Sequence, residues 1–353
     1  MPSRWQTFNY LCKNFIIEGL AIAPIKAKIS RGYDSSGYLS MASSRLNTKP
    51  KDVELVPLID QEKPTRGFDP NRLDSVLKSF SPDIIWIHGE PLQQTTVDVC
   101  KFFRDHSEVS IYQSAIENLP SFNAESDLHH LPRINGFLSA AEPTSQALMK
   151  VFKIDKQKIH LTYLPNIKVG CDLDSEKKKF CIGYLGRIVS QKGIDILLKA
   201  FHSLENKNIR LRIAGDGWYD YIKKNGLSPD IDYFGIIEDS SHILSKIDVL
   251  ILPSLTTKSW KEQFGRVIAE AFSIGIPVIG SDSGSIPSVV GDAGLIYSEK
   301  SPFELANHIL KLANNESLYE YLSCKAKKRF ENYFSVEAHA NCLAKIFDLK
   351  SLQ

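Results

Sequence analysis

Hydrophobic and polar positions switch repeatedly between two periods along the chain. Short apolar runs recur, and most are followed by a stretch with helical spacing, the pattern of a parallel sheet covered by helices. In the first half, PDIIWIHGE predicts a strand that ends in polar residues, and VSIYQSA and INGFLSAAE predict two more. PTSQALMKVF predicts the next helix, with Thr144 or Ser145 as its N-cap. LPNIKVGCDLDSEKKKF then breaks the alternation with Pro, Asn, Gly and a lysine run, which places a domain boundary near residue 170. The second half restarts it more regularly. Strand FCIGYLG, helix GIDILLKAFHSL, strands IRLRIAG and IDYFG, helix SSHILSKI and strand DVLILPS come first. Helix GRVIAEAFSIG, strand PVIGSD, strand AGLIY and helix PFELANHILKLANN follow.

A length of 353 residues exceeds what one core ordinarily supports, so two domains are expected, 1–170 and 171–335, with a final helical segment 336–353. The fold class is α/β: two Rossmann-like, doubly wound domains facing a central cleft. In such sheets ligands bind beyond the carboxyl ends of the strands, and the glycine-rich and polar clusters fall at those ends. One feature departs from this scheme. MPSRWQTFNYLCKNFIIEGL reads as helix with no apolar strand before it, so the first domain has either a shortened sheet or a missing first strand, and a truncated or misassigned start is the expectation.

Composition changes the picture little. Apolar content of 43% and charged content of 24% describe an ordinary globular chain, and a net charge of +2 with no base-stacking motif argues against nucleic acid as a partner. The six cysteines are scattered without a CxxC pair, which argues against structural zinc and fits free thiols in a reducing cytoplasm. No apolar run approaches the roughly 20 residues of a spanning helix, and no secretory signal opens the chain. The lysine-rich stretches EKKKF and CKAKKRF, around Arg329, are either solvated faces or a peripheral contact with anionic lipid.

Candidate chemistry gathers in the second half. In GYLGRIVSQKGIDILL, Gly183 and Gly186 end a strand, Arg187 and Lys192 flank a turn, and Gly193 opens a helix. Close backbone approach, a helix N-terminus and two cations suit a diphosphate, although each cation alone fits a solvated turn equally well. Gly215-Asp216-Gly217 and Gly235 end two further strands and leave room for a flat ring, or else form ordinary tight turns. Phe264 and Gly265 lie where a helix begins, so their backbone N–H groups face the same anion. Glu262 and Glu270 bracket an apolar segment in which an unpartnered carboxylate is costly. If helical, the step between them spans about 12 Å, the reach from a sugar ring across a diphosphate to a ribose, and carboxylates suit vicinal hydroxyls at both ends. A salt bridge for Glu270 and an exposed loop acid for Glu262 are the plainer alternatives.

These residues together, in GRIVSQKG, AGDG, LPS, EQFGRVIAEAFSIGIPVIGSDSG and GDAGLIY, resemble the retaining glycosyltransferases of family 4, which have the GT-B fold. The resemblance is strong over 180–335 and looser over 80–170, and the glutamate pair matches the family's E-x7-E motif. SLTTKSWKEQFGRV is similar to a subgroup with a tryptophan insert before that motif. The resemblance implies that Arg187 and Lys192 hold a donor diphosphate, that Glu262 contacts the transferred sugar and Glu270 the ribose, and that backbone amides near Phe264 and Gly265 touch sugar and phosphate. Gly186, Gly215 and Asp216 complete the donor-side set, and Arg187, Lys192 and Glu262 are the catalytic candidates. It also implies that the last helix, VEAHANCLAKIFDLK, crosses back to the first domain.

The expected activity is transfer of a sugar, with retention, from a UDP-, GDP- or ADP-linked donor to a glycan, lipid-linked or small-molecule acceptor. No cofactor and no metal are expected. Asp172 and Asp174 imitate a DxD motif but lie in the linker and read as solvated acids. On the acceptor side the candidates are His88, Glu90, Glu117 and Asn118; His88 is alternatively a structural residue at a strand end. His129 and His130 read as surface or packing residues. The chain departs from the family in having Ser285 and Ser288 where many relatives carry a loop glutamate, and Glu117-Asn118 where many carry His-Asp. A non-catalytic nucleotide-sugar-binding subunit, or another GT-B enzyme such as an epimerase or phosphorylase, are the alternatives. The expected location is the cytoplasm, with peripheral contact at the inner face of the membrane.

Overall fold

The computed structural model describes residues 6–7, 10–11, 14, 20–23, 54–57, 84–118, 128–171, 179–204, 208–217 and 228–349. The chain divides into two compact units. The first comprises Met1–Ala140, Ser145–Pro165 and His339–Gln353, and the second Ala141–Thr144 and Asn166–Ala338.

In the first unit, strands β1 (Leu20–Ala23) and β2 (Glu54–Pro57) pair in parallel. A separate parallel sheet runs β3 (Ile84–Ile87), β4 (Ser110–Ala115), β5 (Gly136–Ser139) and β6 (Ile159–Leu161), in chain order. Parallel neighbours need a crossover, and helices α1 (Gln94–Phe102) and α2 (Glu142–Lys150) supply two of them. Ile111, Ile134, Phe137 and Leu148 are buried with Val99 and Phe103 in one core. The helix α2 begins at Glu142, so Thr144 and Ser145 lie inside it rather than capping it. Thr144 is fully buried and Ser145 hydrogen-bonds Ser139 through its hydroxyl at 2.9 Å. Most of the opening segment lies outside the described residues; Gln6, Thr7, Tyr10, Leu11 and Asn14 are helical.

The second unit holds one six-stranded parallel sheet in the order β12-β11-β10-β7-β8-β9. Its strands are β7 (Phe180–Leu185), β8 (Ile209–Ala214), β9 (Ile231–Tyr233), β10 (Val249–Leu252), β11 (Val278–Ser281) and β12 (Gly294–Tyr297). The intervening helices are α3 (Ile194–His202), α4 (Ser241–Leu244), α5 (Arg266–Ser273) and α6 (Ile286–Val290), followed by α7 (Pro302–Ala313) and α8 (Glu316–Arg329). The chain builds outward from β7 through β8 to β9, then returns to the other side of β7 and builds outward again from β10. That reversal, between β7 and β10, is where open α/β sheets bind ligands. The central strands read as near-continuous apolar runs because both faces are covered, and Val249, Leu250 and Ile251 are fully buried.

Residues 166–170, ahead of the boundary expected from the sequence, belong to the second unit. Asn166 donates to the Phe334 carbonyl at 2.7 Å, and the Val169 N–H donates to the Ser273 hydroxyl at 3.0 Å. The last helix, α9 (Val336–Ile346), contributes to the first unit from His339 onward. Its Ala340, Leu343 and Ala344 pack with Phe347 against Leu138, Trp86 and Tyr112, and Tyr112 donates its hydroxyl to the Ile346 carbonyl at 3.2 Å. The basic stretch at the end of α8 is partly engaged within the second unit. The Arg329 guanidinium donates to the Ser288 and Val289 carbonyls at 2.7 and 2.8 Å, and Lys325 pairs with Asp292 at 2.8 Å.

Leu343 is fully buried, so Leu343→Ala is expected to remove about 2–5 kcal/mol from the first unit through lost transfer energy and a residual cavity. Hydrogen exchange at the β4 amides of Ile111 and Gln113 would accelerate correspondingly; unchanged protection there contradicts the packing described.

Candidate functional site

The ends of β7 and β10 meet because glycines remove the atoms that would keep them apart. Gly193, the residue before α3, has φ +67°, and a Cβ there would lie 1.8 Å from the Pro253 carbonyl oxygen. The Leu255 N–H donates to the Gln191 carbonyl at 2.8 Å across the same gap. Lys192 is thereby held against the strand end of β10. Its Nζ lies 2.6 Å from Glu262 Oε2, and the same oxygen accepts the Ser254 hydroxyl at 2.7 Å. The lysine and glutamate side chains are 16% and 8% exposed, so the pair is largely desolvated. A charge so placed needs a partner, and Lys192 supplies the opposite charge from the far side of the topological reversal.

The loop after β11 fixes the glutamate from behind. The Ser285 N–H donates to the Glu262 carbonyl at 2.9 Å, and a Cβ on Gly284, which has φ +56°, would lie 2.2 Å from that same oxygen. The Ser281 hydroxyl donates to the Ser254 carbonyl, tying β11 to the end of β10. Glu262 itself precedes the helix, which begins only at Arg266 after Gly265 in a left-handed conformation. The helical distance between the two glutamates therefore does not apply. Phe264 is buried edge-on against Phe334, with ring centroids 5.8 Å apart, so its side chain belongs to the core and its backbone alone remains for ligand contact.

Glu270 lies within α5, where burial raises its carboxyl above the ordinary glutamate range. The Ser240 hydroxyl, by hydrogen bonding, and Arg266 oppose that shift, while Asp239 adds to it. Arg187 is exposed on the loop after β7, and its carbonyl accepts the Tyr184 hydroxyl at 2.6 Å. Burial raises the Tyr184 phenol well above its usual range, and the charges of Glu262 and Arg187 act on it with opposite signs, so both lie within electrostatic reach of one hydroxyl. At the end of β8, Gly215 takes φ +148° against the Gly186 carbonyl, 1.8 Å from where its Cβ would stand. The Ile188 N–H donates to the Asp216 carbonyl at 2.7 Å. Gly186 and Gly215 thus bring two backbones together, a closer use than leaving space for a ring. Asp216 is exposed, and Tyr233 donates its hydroxyl to the Gly215 carbonyl at 2.8 Å.

In the first unit, Glu90 serves the backbone: its Oε1 accepts the N–H groups of Ile116 and Glu117 at 2.9 and 3.3 Å. The fully buried Gln113 donates to the Gly89 carbonyl and accepts the Thr96 hydroxyl, both at 2.8 Å, so the ends of β3 and β4 are cross-linked. Glu117 follows them, half-buried, with its carboxyl raised by burial, and Asn118 is buried. His88 is exposed and packs on Trp86 at 4.1 Å between centroids. His130 is a packing residue whose Nε2 meets the Pro91 carbonyl at 2.8 Å, and His129 is exposed. Asp172 and Asp174 lie outside the described residues. Among the described residues no group of three or more His, Cys, Asp or Glu side chains is placed to hold a metal ion, and no helix is long and apolar enough to cross a membrane.

Two participants have partners that the sequence does not show, although Trp260 is the tryptophan of the insert SLTTKSWKEQFGRV. Ser254, inside the quoted LPS, was recognisable only as a serine at a strand end. Trp260 comes close to Lys192, whose Nζ lies 5.0 Å from the indole ring centroid, and no local pattern connects residues so far apart in the chain.

The chain is similar to known proteins, most clearly in the second unit. Residues 172–329 match the family of glycosyl transferases group 1. The chain is 34% identical over 170 residues to a capsular polysaccharide biosynthesis glycosyltransferase, CapM, of Staphylococcus aureus, covering 44% of this chain and 42% of that protein. It is 30% identical over 154 residues to O-antigen chain mannosyltransferase B of Escherichia coli, covering 40% and 39%. The chain thus spans less than half the length of these curated relatives. Among solved structures, a glycosyltransferase of Rickettsia africae aligns with a TM-score of 0.73 at 16% identity, over 98% of this chain and 93% of that one. Anabaena HepE in complex with UDP and glucose aligns with a TM-score of 0.66 at 15% identity, over 98% and 95%. The fold is GT-B, with parallel-sheet α/β units.

Two outcomes test the site geometry. Lys192→Ala leaves a desolvated carboxylate and is expected to cost the second unit about 3–5 kcal/mol, whereas Lys192→Met combined with Glu262→Gln costs much less. Urea denaturation of the three proteins decides this, and equal losses for the single and double variants contradict a charged pair. For Glu270, a raised carboxyl means the folded chain keeps a proton that the unfolded chain has lost, so stability falls as pH rises above the ordinary glutamate value. Glu270→Gln is expected to abolish that fall and to melt higher than wild type at neutral pH; parallel pH–stability curves would contradict it.

Proposed function

We propose that the chain is a retaining, metal-independent glycosyltransferase that takes a sugar from a nucleotide-sugar donor bound at the carboxyl end of the second unit's sheet. The observation that carries this reading is the junction of Lys192, Glu262 and Ser254 at the reversal between β7 and β10. A cation and a carboxylate are held there, nearly dry, on loops fixed by glycine contacts. The group 1 match over the same residues and the carbohydrate-assembly relatives point the same way.

In this reaction the bond from the anomeric carbon to the donor phosphate breaks and a bond to an acceptor hydroxyl oxygen forms on the same face. The acceptor's proton passes to the departing phosphate oxygen. The developing charge on the diphosphate is stabilised by Lys192, Arg187 and the backbone amides around Phe264 and Gly265, where low dielectric strengthens each interaction. Glu262, released from Lys192, orients the transferred sugar. Glu270, on the following helix, accepts hydrogen bonds from the ribose. Gly186, Gly215 and Asp216 line the nucleoside side. His88, Glu117 and Asn118 provide the acceptor side, with Glu90 holding the loop that bears the latter two. The acceptor is a glycan, a lipid-linked saccharide or a small molecule, and no cofactor is needed. Free thiols at Cys100, Cys171, Cys181, Cys324 and Cys342 suit a reducing cytoplasm, where the protein works with peripheral contact at the membrane's inner face.

Thermal melting with UDP, GDP, ADP and their sugars, beside Lys192→Arg, tests the donor site. A ligand at about 100 times its dissociation constant adds roughly 2.7 kcal/mol of apparent stability. One nucleotide family is expected to raise the midpoint in wild type and distinctly less in the variant. No shift with any nucleotide refutes the donor site. Binding without release of nucleoside diphosphate, across glycan and lipid-linked acceptors, would leave a nucleotide-sugar-binding chain in place of an enzyme.

A further inference from the structure

The insert between Ser254 and Glu262 is built more firmly than an exposed loop requires. The Thr256 N–H donates to the Glu299 carboxylate, and the Thr256 hydroxyl meets the Ser283 hydroxyl at 3.0 Å. The turn closes on itself, with the Thr257 N–H donating to the Trp260 carbonyl at 2.7 Å and its hydroxyl doing so at 3.2 Å. The insert's first residue, Leu255, is bonded to Gln191, immediately before Lys192. What this turn presents is the half-buried indole of Trp260, with the Lys192 ammonium 5.0 Å from its centroid.

Lys192 therefore has two partners of different kinds. Glu262 binds the ammonium by opposite charge and in doing so cancels it. The indole attracts a cation through its ring quadrupole and carries no net charge, so it holds the ammonium without neutralising it. An arriving diphosphate competes with Glu262 for the same ammonium. A lysine on a four-carbon stem that lost its carboxylate and had no second contact would recover its rotamer freedom and turn to water. We propose that Trp260 is a positioning residue that keeps Lys192 aimed at the diphosphate once Glu262 lets go. This rests on the reading of Lys192 as a diphosphate ligand.

Calorimetric titration with UDP, inorganic pyrophosphate and uridine tests it in wild type, Trp260→Leu, Trp260→Phe, Lys192→Met and the Trp260→Leu/Lys192→Met double variant. Trp260→Leu is expected to weaken UDP and pyrophosphate about tenfold and leave uridine unchanged, with Trp260→Phe recovering part of the loss. In the Lys192→Met background, Trp260→Leu is expected to make no further difference to UDP, since the two act through one ammonium. If Trp260→Leu binds UDP and pyrophosphate as wild type does, or weakens UDP equally in both backgrounds, this role is overturned while the diphosphate site stands. If wild type binds neither pyrophosphate nor any of UDP, GDP and ADP, the diphosphate reading fails and this role fails with it.

Discussion

The ion pair between Lys192 and Glu262 is the constraint around which the carboxyl end of the second unit's sheet is arranged. Two charges drawn this far from water are stable only when their geometry is fixed and their remaining hydrogen-bonding capacity is met. Ser254 helps to meet it, and the backbone around both residues is fixed by contacts that only glycine permits, at Gly193 against Pro253 and at Gly284 against Glu262. Such a pair contributes less to stability than apolar packing of the same volume would. It stands beside a core of fully buried isoleucines and valines, and that contrast is what the proposed donor site rests on.

The strand order makes that place available. Because the chain reverses at β7, the loops after β7 and β10 lie side by side at the carboxyl end of the sheet, joined by the Leu255 N–H to Gln191 carbonyl bond, while the loop after β11 reaches the second of them through Ser285 and Glu262. Lys192, Ser254 and Glu262 belong to those two loops, and Ser285 supports them from the next. Sequence separation is immaterial here, since the parallel ladder brings together strand ends some seventy residues apart in the chain. Glu270 stands apart from this junction in a helix whose surroundings favour its protonated form, so a ligand that hydrogen-bonds the carboxyl meets a group already short of water.

The first unit uses the same principle with different chemistry. Glu90, Gln113 and Thr96 form a polar bracket between the ends of β3 and β4, and each is spent on structure. Beyond the bracket come Glu117, half-buried, and Asn118, buried, while His88 at the end of β3 is exposed. Burial of Glu117 raises its carboxyl, and the bracket explains why its loop holds that position.

While β1, β2, β6 and the helices α1, α6 and α8 were not legible, hydrophobic period and glycine placement alone determined the α/β class, the six strands of the second unit, the strands β3, β4 and β5 of the first, and which strand ends carry polar residues. These are local properties, because a run such as DVLILPS has the same preference wherever it packs. The nearby pair of glutamates was legible for the same reason, although only the structure shows Glu262 in a loop and Glu270 in a helix. Tertiary structure decided the partners. That Lys192 belongs to Glu262, that Trp260 covers Lys192, that Glu90 binds backbone and that Phe264 is core all follow from strand order and backbone approach. Helix and strand preferences act over a few residues, whereas a buried charge finds its partner through the path of the whole chain.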